Sequence, residues 1–424
     1  MFNVHTIAFS EDGRKISYSY SIHHKLQKYF NTDNPYYVKY EVDVRSTPLS
    51  IAIIPLLANV APISWFVGFD IYIDEIDEVF YNSLKDLKDE FSKLYPERNL
   101  QGNIIAKKIV RNSHAGKNKG LLFGGGVDTY ASYFRHKDED LKLITLHGAD
   151  IDLDDVERWN AVVTLNRTEK ILEKNEKLFI ESNLKGFYTY QLDLLGNLTW
   201  WGYVQHALAL LGSIAPLSFK YEIIKLYIAS SYTETAHMSW GSTPQADETV
   251  KWANVTVTHD GFELKRQDKI DFIVKNLKHS DCGVTLRVCY SELRDGFNCS
   301  KCEKCFRTIL GIILAGDDPN RYGFSVDENI YEKIFESFKK GGASKGVRYF
   351  WQELREKAGT SPDFFVFQDK EKEKNYIKQF AGGVVARLQN KGAATAKIQN
   401  RIKFVLRNKF PLLYKSFRRI KYGK

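Results

Sequence analysis

Two segments that lie far apart in the sequence constrain this chain more than any other feature. The first, LLFGGGVDT at 121–129, runs from apolar residues into three glycines, then into an aspartate and a threonine. The second has the spacing C-x9-C-x2-C-x2-C and consists of Cys289, Cys299, Cys302 and Cys305. The first segment is typical of a strand and a phosphate-holding turn, and the second of a four-thiolate metal site. Together they predict an ATP-consuming enzyme with a structural zinc.

Size and composition are those of a folded chain with more than one domain. The 424 residues suffice for two or three domains at roughly 150 residues each. Shares of 43% hydrophobic and 14% aromatic residues exclude wholesale disorder. Five cysteines, four of them clustered, are not typical of a secreted disulfide framework and favour a reducing, cytoplasmic location. Residues 1–15 contain no long apolar run of the kind found in signal peptides.

Changes in the hydrophobic pattern predict three regions. Residues 1–115 have the mixed strand and helix patterns of an α+β domain. Residues 116–316 alternate short apolar strands with helices, which is typical of a parallel sheet with helices on both faces. Strands of this α/β domain are expected at 121–123, 143–147, 161–165 and 223–230. Residues 317–424 are expected to form a helical region that ends in a basic tail.

One uncharged stretch, at 46–69, is long enough to cross a bilayer. Three prolines and Asn59 interrupt it. A mostly apolar segment at 65–73 follows directly and contains Asp70. We therefore expect a buried helix followed by a core strand here, rather than a membrane span.

The net charge of +9 comes from the C-terminal tail, because no acidic residue follows Glu373. Apolar residues recur at helical spacing among the lysines and arginines of 398–417, and Pro411 should kink or split this helix. A basic amphipathic helix suits an anionic membrane surface or a macromolecular acceptor such as a nucleic acid or an acidic protein. Docking of the tail on the body of the protein is the alternative.

The glycine turn has clear physical consequences. Consecutive glycines let the backbone approach an anion closely, and the N-terminus of the next helix directs N–H groups at that anion. Asp128 adds a carboxylate, which suits Mg²⁺ binding or general-base catalysis, and Thr129 adds a hydroxyl donor. The segment is neither a Walker A motif nor a dinucleotide fingerprint, because the residues that should follow the glycines differ. A tight strand-to-helix turn without any ligand is the alternative.

The cysteine spacing brings four thiolates within reach of one ion. Four thiolates leave no open position on Zn²⁺, so this zinc would be structural. An iron–sulfur cluster is a competitor, but the ferredoxin pattern has its fourth cysteine downstream and before a proline. Free thiols are the third possibility. Cys282 lies outside the cluster and is expected to be a small buried residue or a reactive thiol.

The glycine segment resembles the PP-loop of the ATP pyrophosphatase superfamily, whose motif is Ser-Gly-Gly-x-Asp-Ser. Gly125, Gly126 and Asp128 match, Thr129 replaces the last serine, and Gly124 replaces the first. The resemblance implies a Rossmann-like fold of the adenine nucleotide alpha hydrolase (HUP) type, with Asp128 and Thr129 as catalytic residues. It also implies that ATP and Mg²⁺ bind along the segment, at Phe123, Gly124, Gly125, Gly126, Val127, Asp128 and Thr129.

The cysteine segment is similar to the zinc region of 7-cyano-7-deazaguanine synthase, the QueC family. That family has a Ser-Cys-Tyr segment before C-x2-C-x2-C and an arginine after it. Here Cys289 and Tyr290 precede the C-x2-C-x2-C run and Arg307 follows it, whereas Arg287 and Val288 stand where the family has Trp and Ser. The resemblance spans about residues 118–315, so the chain looks like a QueC-like enzyme with added regions on both sides.

The resemblance also implies a reaction. A substrate oxygen would attack the α-phosphate of ATP, pyrophosphate would leave, and a nitrogen nucleophile would attack the acyl adenylate. The expected substrate is a small carboxylate, in particular a deazapurine-type acid. Another PP-loop chemistry, such as sugar amidotransfer or tRNA modification, and a non-catalytic ATP-binding scaffold are the alternatives. Sulfur transfer would need a reactive cysteine, and only Cys282 is spare.

Several further side chains are weaker candidates. His147 and Asp150 lie at and just past the end of the second predicted strand, at the edge of the sheet where ligands bind in open α/β folds, so His147 is expected to contact the nucleotide. The segment 197–201, with its two tryptophans, is a candidate for stacking on a base. The loop 234–247, with His237 and Trp240, is a candidate pocket lining. Ordinary loop or packing roles are the alternative for all of them.

Overall fold

The computed structural model divides the chain into two compact units. The first unit comprises Met1–Gly124, Arg135–Ser230 and Ser239–Phe262. The second unit comprises Gly125–Phe134, Ser231–Met238 and Glu263–Lys424. The described residues are 1–195, 200–236, 240–278, 280, 282–289, 296–340, 345–360, 366–367 and 369–382, with Leu406, Phe410 and Leu413.

The strands of the described residues form one sheet, which lies in the first unit. In chain order they are β1 Phe2–Phe9, β2 Lys15–Ile22, β3 Tyr37–Tyr40, β4 Ile71–Asp77, β5 Ile104–Val110, β6 Asn118–Leu122, β7 Leu141–His147, β8 Lys177–Ser182, β9 Ile223–Ala229 and β10 Thr256–Asp260. Their spatial order is β10-β9-β6-β7-β8-β3-β2-β1-β4-β5. The pairs from β10 to β8 are parallel, as are β1–β4 and β4–β5, and the other three are antiparallel. The expected α/β class with a mostly parallel sheet is confirmed.

The N-terminal strands belong to the same sheet as the later ones. β3 pairs with β8, so that Val38 lies opposite Ser182 and Tyr40 opposite Ile180. β1 and β2 follow next to β3, and β4 and β5 complete that edge. The backbone of β3 forms its hydrogen bonds with the edge of β8. One sheet therefore contains strands from both sides of the boundary expected near residue 115.

The helices of the described residues alternate with these strands and then dominate the C-terminal part. They are α1 Leu49–Ala52, α2 Ile54–Val67, α3 Glu78–Leu94, α4 Val127–Arg135, α5 Val156–Thr168, α6 His206–Gly212, α7 Ala215–Lys220, α8 Pro244–Thr249, α9 Arg266–Leu277, α10 Glu303–Ala315, α11 Ile330–Lys340, α12 Lys345–Ala358 and α13 Lys370–Ala381. Five short 3₁₀ or π segments complete the set, at His24–Tyr29, Lys170–Leu172, Trp201–Gln205, Glu234–Ala236 and Pro319–Tyr322.

The strand expected at 161–165 is wrong, because these residues lie within α5. The Asp155 side chain accepts a hydrogen bond from the backbone N–H of Arg158 and caps the helix. Only Val162 and Asn166 are buried on α5, and their spacing of one helical turn gives it a narrow inner face. A short apolar run does not separate a strand from a helix by its pattern alone. The strand next to β7 is instead β8.

The uncharged stretch at 46–69 is a buried helical segment, as expected. α1 and α2 occupy most of it, and the first twelve residues of α2, Ile54–Trp65, are all buried. Gly68 ends α2 with a φ of 83°, so the strand that follows starts at Ile71 and not at residue 65. Among the helices that the structure describes, none combines the length and the apolar character needed to cross a membrane.

The second unit has α10 at its centre. Every residue of α10 from Cys305 to Leu314 is buried, and Gly316 ends the helix in the left-handed conformation. α9 and α12 both pack on it. The Gln267 side chain of α9 donates a hydrogen bond of 3.0 Å to the carbonyl oxygen of Gly311, and a Cβ on Gly311 would lie 2.7 Å from Ile270. Glycine at this position therefore allows α9 to approach α10 closely.

We expect Gly148→Ala to destabilise the protein strongly. Gly148 follows β7 with a φ of +97°, and a Cβ there would lie 1.9 Å from the carbonyl oxygen of Ser182. Backbone strain and overpacking together should lower the free energy of unfolding by about 2–5 kcal/mol. Urea denaturation measures the change, and Gly124→Ala is the matched control because a Cβ at Gly124 would meet nothing within 4 Å. Equal unfolding midpoints for the two variants would contradict this account of Gly148.

Candidate functional site

The glycine segment has the predicted order of strand, turn and helix. β6 ends at Leu122 and α4 begins at Val127. Gly125 has a φ of +69°, and a Cβ there would lie 3.2 Å from the Cδ atom of Arg287. Glycine is thus required at this position, because any side chain would be strained and would press on Arg287. Gly124 is exposed and has free space around its Cα.

Hydrogen bonds hold the turn against a second segment of the same unit. The backbone N–H of Arg287 donates to the carbonyl oxygen of Gly125 at 2.7 Å. The carbonyl oxygen of Gly126 accepts from the backbone N–H of Tyr130 at 3.0 Å and from the hydroxyl of Thr129 at 3.2 Å. The Thr129 proton is therefore used within the turn, which leaves its oxygen as an acceptor.

Asp128 lies in the first turn of α4 between two buried cations. The Arg266 Nη1 atom is 3.3 Å from Oδ2 and 3.4 Å from Oδ1 of Asp128. The Lys269 Nζ atom is 3.5 Å from Oδ1. The side chains of Arg266 and Lys269 are 8% and 3% exposed, whereas that of Asp128 is 23% exposed. Arg266 and Lys269 are one turn apart on α9, so a single face of that helix carries both charges.

The charges around Asp128 keep it ionised. Burial alone would raise the pKa of its carboxyl group, but Lys269, Arg266, Lys304 and Arg307 outweigh that effect and lower the pKa below its usual value. Lys304 and Arg307 come from the first turns of α10. An ionised carboxylate with solvent access is a suitable ligand for Mg²⁺, and the four cations around it suit a polyphosphate.

The four cysteines of the second unit converge as predicted. Their Sγ atoms all lie within 4.8 Å of one another. Cys289–Cys302, Cys299–Cys305 and Cys302–Cys305 are separated by 3.7, 3.9 and 3.5 Å. Tetrahedral zinc with bonds of about 2.3 Å needs sulfur atoms about 3.8 Å apart. The cluster therefore fits a single tetrahedral metal ion such as zinc.

The hydrogen bonds of the cluster favour a thiolate at Cys302. Backbone N–H groups of Cys302 and Lys301 donate to the Cys299 sulfur at 3.2 and 3.5 Å, around a Ser300 with a φ of 51°. A hydrogen bond between Cys302 and Cys305 lowers the pKa of Cys302 to about 5 and raises that of Cys305. Cys302 therefore ionises before Cys299 and Cys305, and the thiolate is the form that binds a metal.

The cysteine cluster is tied to the glycine turn through short stretches of chain. Cys289 lies two residues after Arg287, whose backbone holds Gly125. Cys302 caps α10, so Lys304 follows it within one turn. Asn298 donates to the carbonyl oxygens of Leu286 and Gly323 and accepts from Val288. A metal on the cysteines would therefore fix both the segment that supports the turn and the start of the helix that brings cations to Asp128.

His147 belongs to the first unit, as do Phe123 and Gly124, whereas Gly125–Thr129 belong to the second. The His147 ring is 3% exposed and stacks on Trp159 with centroids 4.5 Å apart. Its Nε2 lies 3.2 Å from the backbone oxygen of Asp152, and its Nδ1 3.8 Å from the Glu181 carboxylate. Both ring nitrogens thus have neighbours within the first unit, and a nucleotide contact of His147 stays a prediction.

The other candidates have packing contacts or lie outside the described residues. Trp200 is buried and packs edge-on against Phe66, and Trp201 packs edge-on against His206. Trp240 is 5.5 Å from the ring of His206. The candidate positions outside the described residues are 197–199, 237–239 and, except for Leu406, Phe410 and Leu413, the basic tail after residue 382.

Sequence reasoning missed the two residues nearest Asp128. Arg266 and Lys269 stand among polar residues at the start of α9, a pattern that normally indicates a solvated helix face. Their burial is visible only in the structure. One signal was present: they are spaced i, i+3 in a helix whose next turns, with Ile270, Ile273 and Val274, are apolar and buried. A buried cation pair of this kind requires a nearby carboxylate.

We expect purified protein to carry one zinc ion per chain, bound to the four cysteines. Cys299→Ser should abolish stoichiometric zinc and lower the melting temperature, because three thiolates no longer close the site. Metal analysis and thermal unfolding measure both effects. Cys282→Ser is the matched control, since Cys282 lies outside the cluster. Full zinc content in the Cys299 variant, or iron in place of zinc in the wild type, would contradict this assignment.

Comparison with other proteins gives no independent assignment. No family model matches this chain, and no curated protein or solved structure matches it. Any function for the chain must therefore follow from the chemistry of these residues, above all Asp128 with its cations and the four cysteines.

Proposed function

We propose that this chain is an ATP-dependent ligase of the PP-loop type, which activates a small carboxylate as an acyl adenylate. Asp128 and Thr129 are its catalytic residues, and ATP binds along 123–129. The parallel strands with their glycine turn would then be an adenine nucleotide alpha hydrolase-like core. A deazapurine-type acid is the substrate that the similarity to the QueC family favours.

One observation carries the proposal. An ionised, partly exposed carboxylate lies at the start of α4, directly after a glycine turn, among cationic side chains from two other helices. A turn that served only as a fold connection would not need Arg266 and Lys269 buried beside it, because burying cations is costly. Cations that face a helix N-terminus are instead suited to bind phosphates.

The residues of the site have separate roles in adenylation. N–H groups of the turn and of α4 bind the pyrophosphate part of ATP, and Lys269, Lys304 and Arg307 stabilise its growing negative charge as it leaves. A carboxylate oxygen of the substrate forms a bond to the α-phosphorus while the bond from that phosphorus to the pyrophosphate oxygen breaks. Mg²⁺ held by Asp128 would neutralise phosphate charge when bound. A nitrogen nucleophile then displaces AMP from the acyl carbon.

The cysteine cluster supports this site without taking part in the chemistry. Four cysteines leave a zinc ion no open position for a substrate or a water molecule. Its contribution is to hold Arg287 against the turn and to start α10 at the residues that carry Lys304 and Arg307.

A nucleotide-binding protein without turnover is the second candidate, and Gly124 favours it. The PP-loop motif has a serine at this position, and glycine removes one hydroxyl that would contact the pyrophosphate. Another PP-loop chemistry with a different acceptor, such as a sugar or a tRNA, shares the same first step. The basic residues after Glu373 would suit an anionic acceptor of that kind.

We expect carboxylate-dependent pyrophosphate release from Mg-ATP, and a loss of about 100-fold or more in Asp128→Asn, because the metal ligand is gone. The assay measures pyrophosphate with a panel of acids that includes 7-carboxy-7-deazaguanine. Asp271→Asn is the matched control, since Asp271 is a carboxylate of the same unit that pairs with Lys357. Zinc content and circular dichroism must equal those of the wild type in both variants.

Two results would overturn the ligase. Wild-type protein with full zinc that releases no pyrophosphate with any acid, yet binds ATP, would establish the nucleotide-binding alternative. Pyrophosphate release that persists in Asp128→Asn would remove Asp128 from the mechanism.

We expect Gly124→Ser to bind ATP more tightly. A Cβ at this position meets no atom within 4 Å, so the fold leaves room for a small side chain. One added neutral hydrogen bond of about 0.5–1.5 kcal/mol corresponds to about 2- to 10-fold in affinity. Titration calorimetry with Mg-ATP measures the gain, and Gly124→Ala controls for the effect of the Cβ alone. Equal affinity of the two variants would show that the hydroxyl does not reach the nucleotide.

A further inference from the structure

The guanidinium of Arg307 lies over an aromatic ring of the second unit. Its central carbon atom is 4.3 Å from the centre of the Phe350 ring. The negative face of an aromatic ring attracts a cation, and this contact is made more often by arginine than by lysine. A cation that is held over a ring face can take few other positions. Phe350 therefore restrains the Arg307 side chain and also stabilises its charge.

A carboxylate restrains the same side chain from within α10. The Nε atom of Arg307 lies 3.3 Å from the Oε1 atom of Glu303, one helical turn earlier. The side chain of Arg307 is 9% exposed, so water does little to stabilise its charge. A buried charge is costly unless neighbouring groups stabilise it. Glu303 and the Phe350 ring therefore act together on one buried guanidinium.

Little free space remains for a second position of Arg307. Three residues of α12, Phe350, Glu353 and Leu354, line a small cavity together with Arg307. The free space in this cavity is about 10 Å³, which is close to the size of one water molecule. A guanidinium group is larger than a water molecule, so it cannot turn away from the ring into this cavity. The position of Arg307 is thus restricted before any ligand binds.

Helix packing alone gives no reason for an aromatic residue at position 350. Trp351 and Leu354 anchor α12 and are nearly fully buried, whereas Phe350 is only partly buried. Tyr232 packs on the Phe350 ring from outside α12, with the two rings inclined by 14° and their centres 6.1 Å apart. A leucine at position 350 could also pack on α12, but it has no π-electrons that attract a cation. The contact with Arg307 accounts for the aromatic ring.

We propose that Phe350 is a positioning residue, which holds Arg307 ready to bind the pyrophosphate that leaves ATP. This inference rests on the proposed function, because that function supplies the anion for Arg307. Arg307 is one of the cations that lower the pKa of Asp128, so its charge acts at the start of α4. An arginine that is already ordered loses less side-chain freedom when an anion binds. The inference assigns a role to α12, which lies beyond the part of the chain that resembles the QueC family.

The test measures the ring contact and its effect on anion binding separately, on full-length, zinc-loaded protein. NMR of the arginine Nε–H groups reports the contact, and Arg307→Lys assigns the signal of Arg307 by its loss. Titration calorimetry measures the binding of inorganic pyrophosphate with Mg²⁺. Phe350→Leu removes the ring, and Phe350→Tyr keeps it. Phe335→Leu is the matched control, because Phe335 is a partly buried phenylalanine of the same unit that packs on Tyr376.

We expect the Arg307 Nε–H signal of the wild type to lie upfield of its position in Phe350→Leu, because protons over a ring face are shielded. Phe350→Leu should weaken pyrophosphate binding by about 3- to 10-fold, since it loses both the cation–π contact and the ordered side chain. Phe350→Tyr and Phe335→Leu should stay within about 2-fold of the wild-type affinity. Zinc content and circular dichroism equal to those of the wild type show that each variant is folded.

Three results would overturn the inference. The same Arg307 signal in the wild type and in Phe350→Leu would show that the guanidinium does not lie over the ring. Unchanged pyrophosphate affinity in Phe350→Leu would show that Arg307 needs no such support. Equal losses of affinity in Phe350→Leu and Phe350→Tyr would assign the effect to the packing of α12 and not to the aromatic ring.

The inference and the proposed function fail separately. Protein that binds pyrophosphate with the help of Phe350, but releases none from Mg-ATP with any acid, would retain the inference and lose the ligase. Pyrophosphate release from Mg-ATP that is equal in the wild type and in Phe350→Leu, with equal pyrophosphate affinity, would retain the ligase and lose the inference.

Discussion

The ion cluster of Asp128 with Arg266 and Lys269 is the interaction on which the second unit depends. Arg266 and Lys269 are nearly fully buried, and a buried cation without a carboxylate would cost several kcal/mol. Asp128, at the start of α4, supplies the carboxylate, and the cations in turn keep its carboxyl group ionised. Each partner offsets part of the cost of burying the other. The mutual dependence fixes α9 against α4, and it concentrates positive charge at a helix N-terminus.

The cysteine cluster influences the same site through two neighbouring stretches of chain. It lies between the Arg287 segment and α10. The backbone of Arg287 donates a hydrogen bond to Gly125, and cations of α10 lower the pKa of Asp128. Four thiols within 4.8 Å of one another repel once they ionise, so this arrangement is stable only with a bound cation or with protons on most of the sulfurs. A metal at this place would thus stabilise the fold and align the cations at once. Such a role fits the position of the cysteine cluster, which lies close in sequence to Arg307.

The sequence was informative where chemistry and local pattern coincide. The order of strand, glycine turn and helix, the convergence of the cysteines and the buried segment at 46–69 follow from residue types that have few alternatives. It failed where tertiary contacts decide. The apolar pattern of the run at 161–165 is compatible with a strand and with a helix. Only the Asp155 cap and the position of β8 next to β7 favour the helix. Arg266 and Lys269 have the pattern of an exposed helix face, and the apolar turns that follow them in α9 indicate burial without indicating that Asp128 is their partner.

The two glycines at the start of the turn differ in what constrains them, and this difference bears on the chemistry. Gly125 is fixed by its positive φ and by Arg287, so no other residue fits there. A Cβ on Gly124 would meet no atom within 4 Å, so the lack of a side chain there is not required by the fold. A hydroxyl at Gly124 would supply one neutral hydrogen bond, whereas Lys269 and Arg307 act through full charges, and charge-assisted contacts are about twice as strong. A site with this many cations can hold a polyphosphate without that hydroxyl. Gly124 is therefore compatible with a nucleotide site, and the departure from the PP-loop motif does not by itself decide between a ligase and a nucleotide-binding protein without turnover.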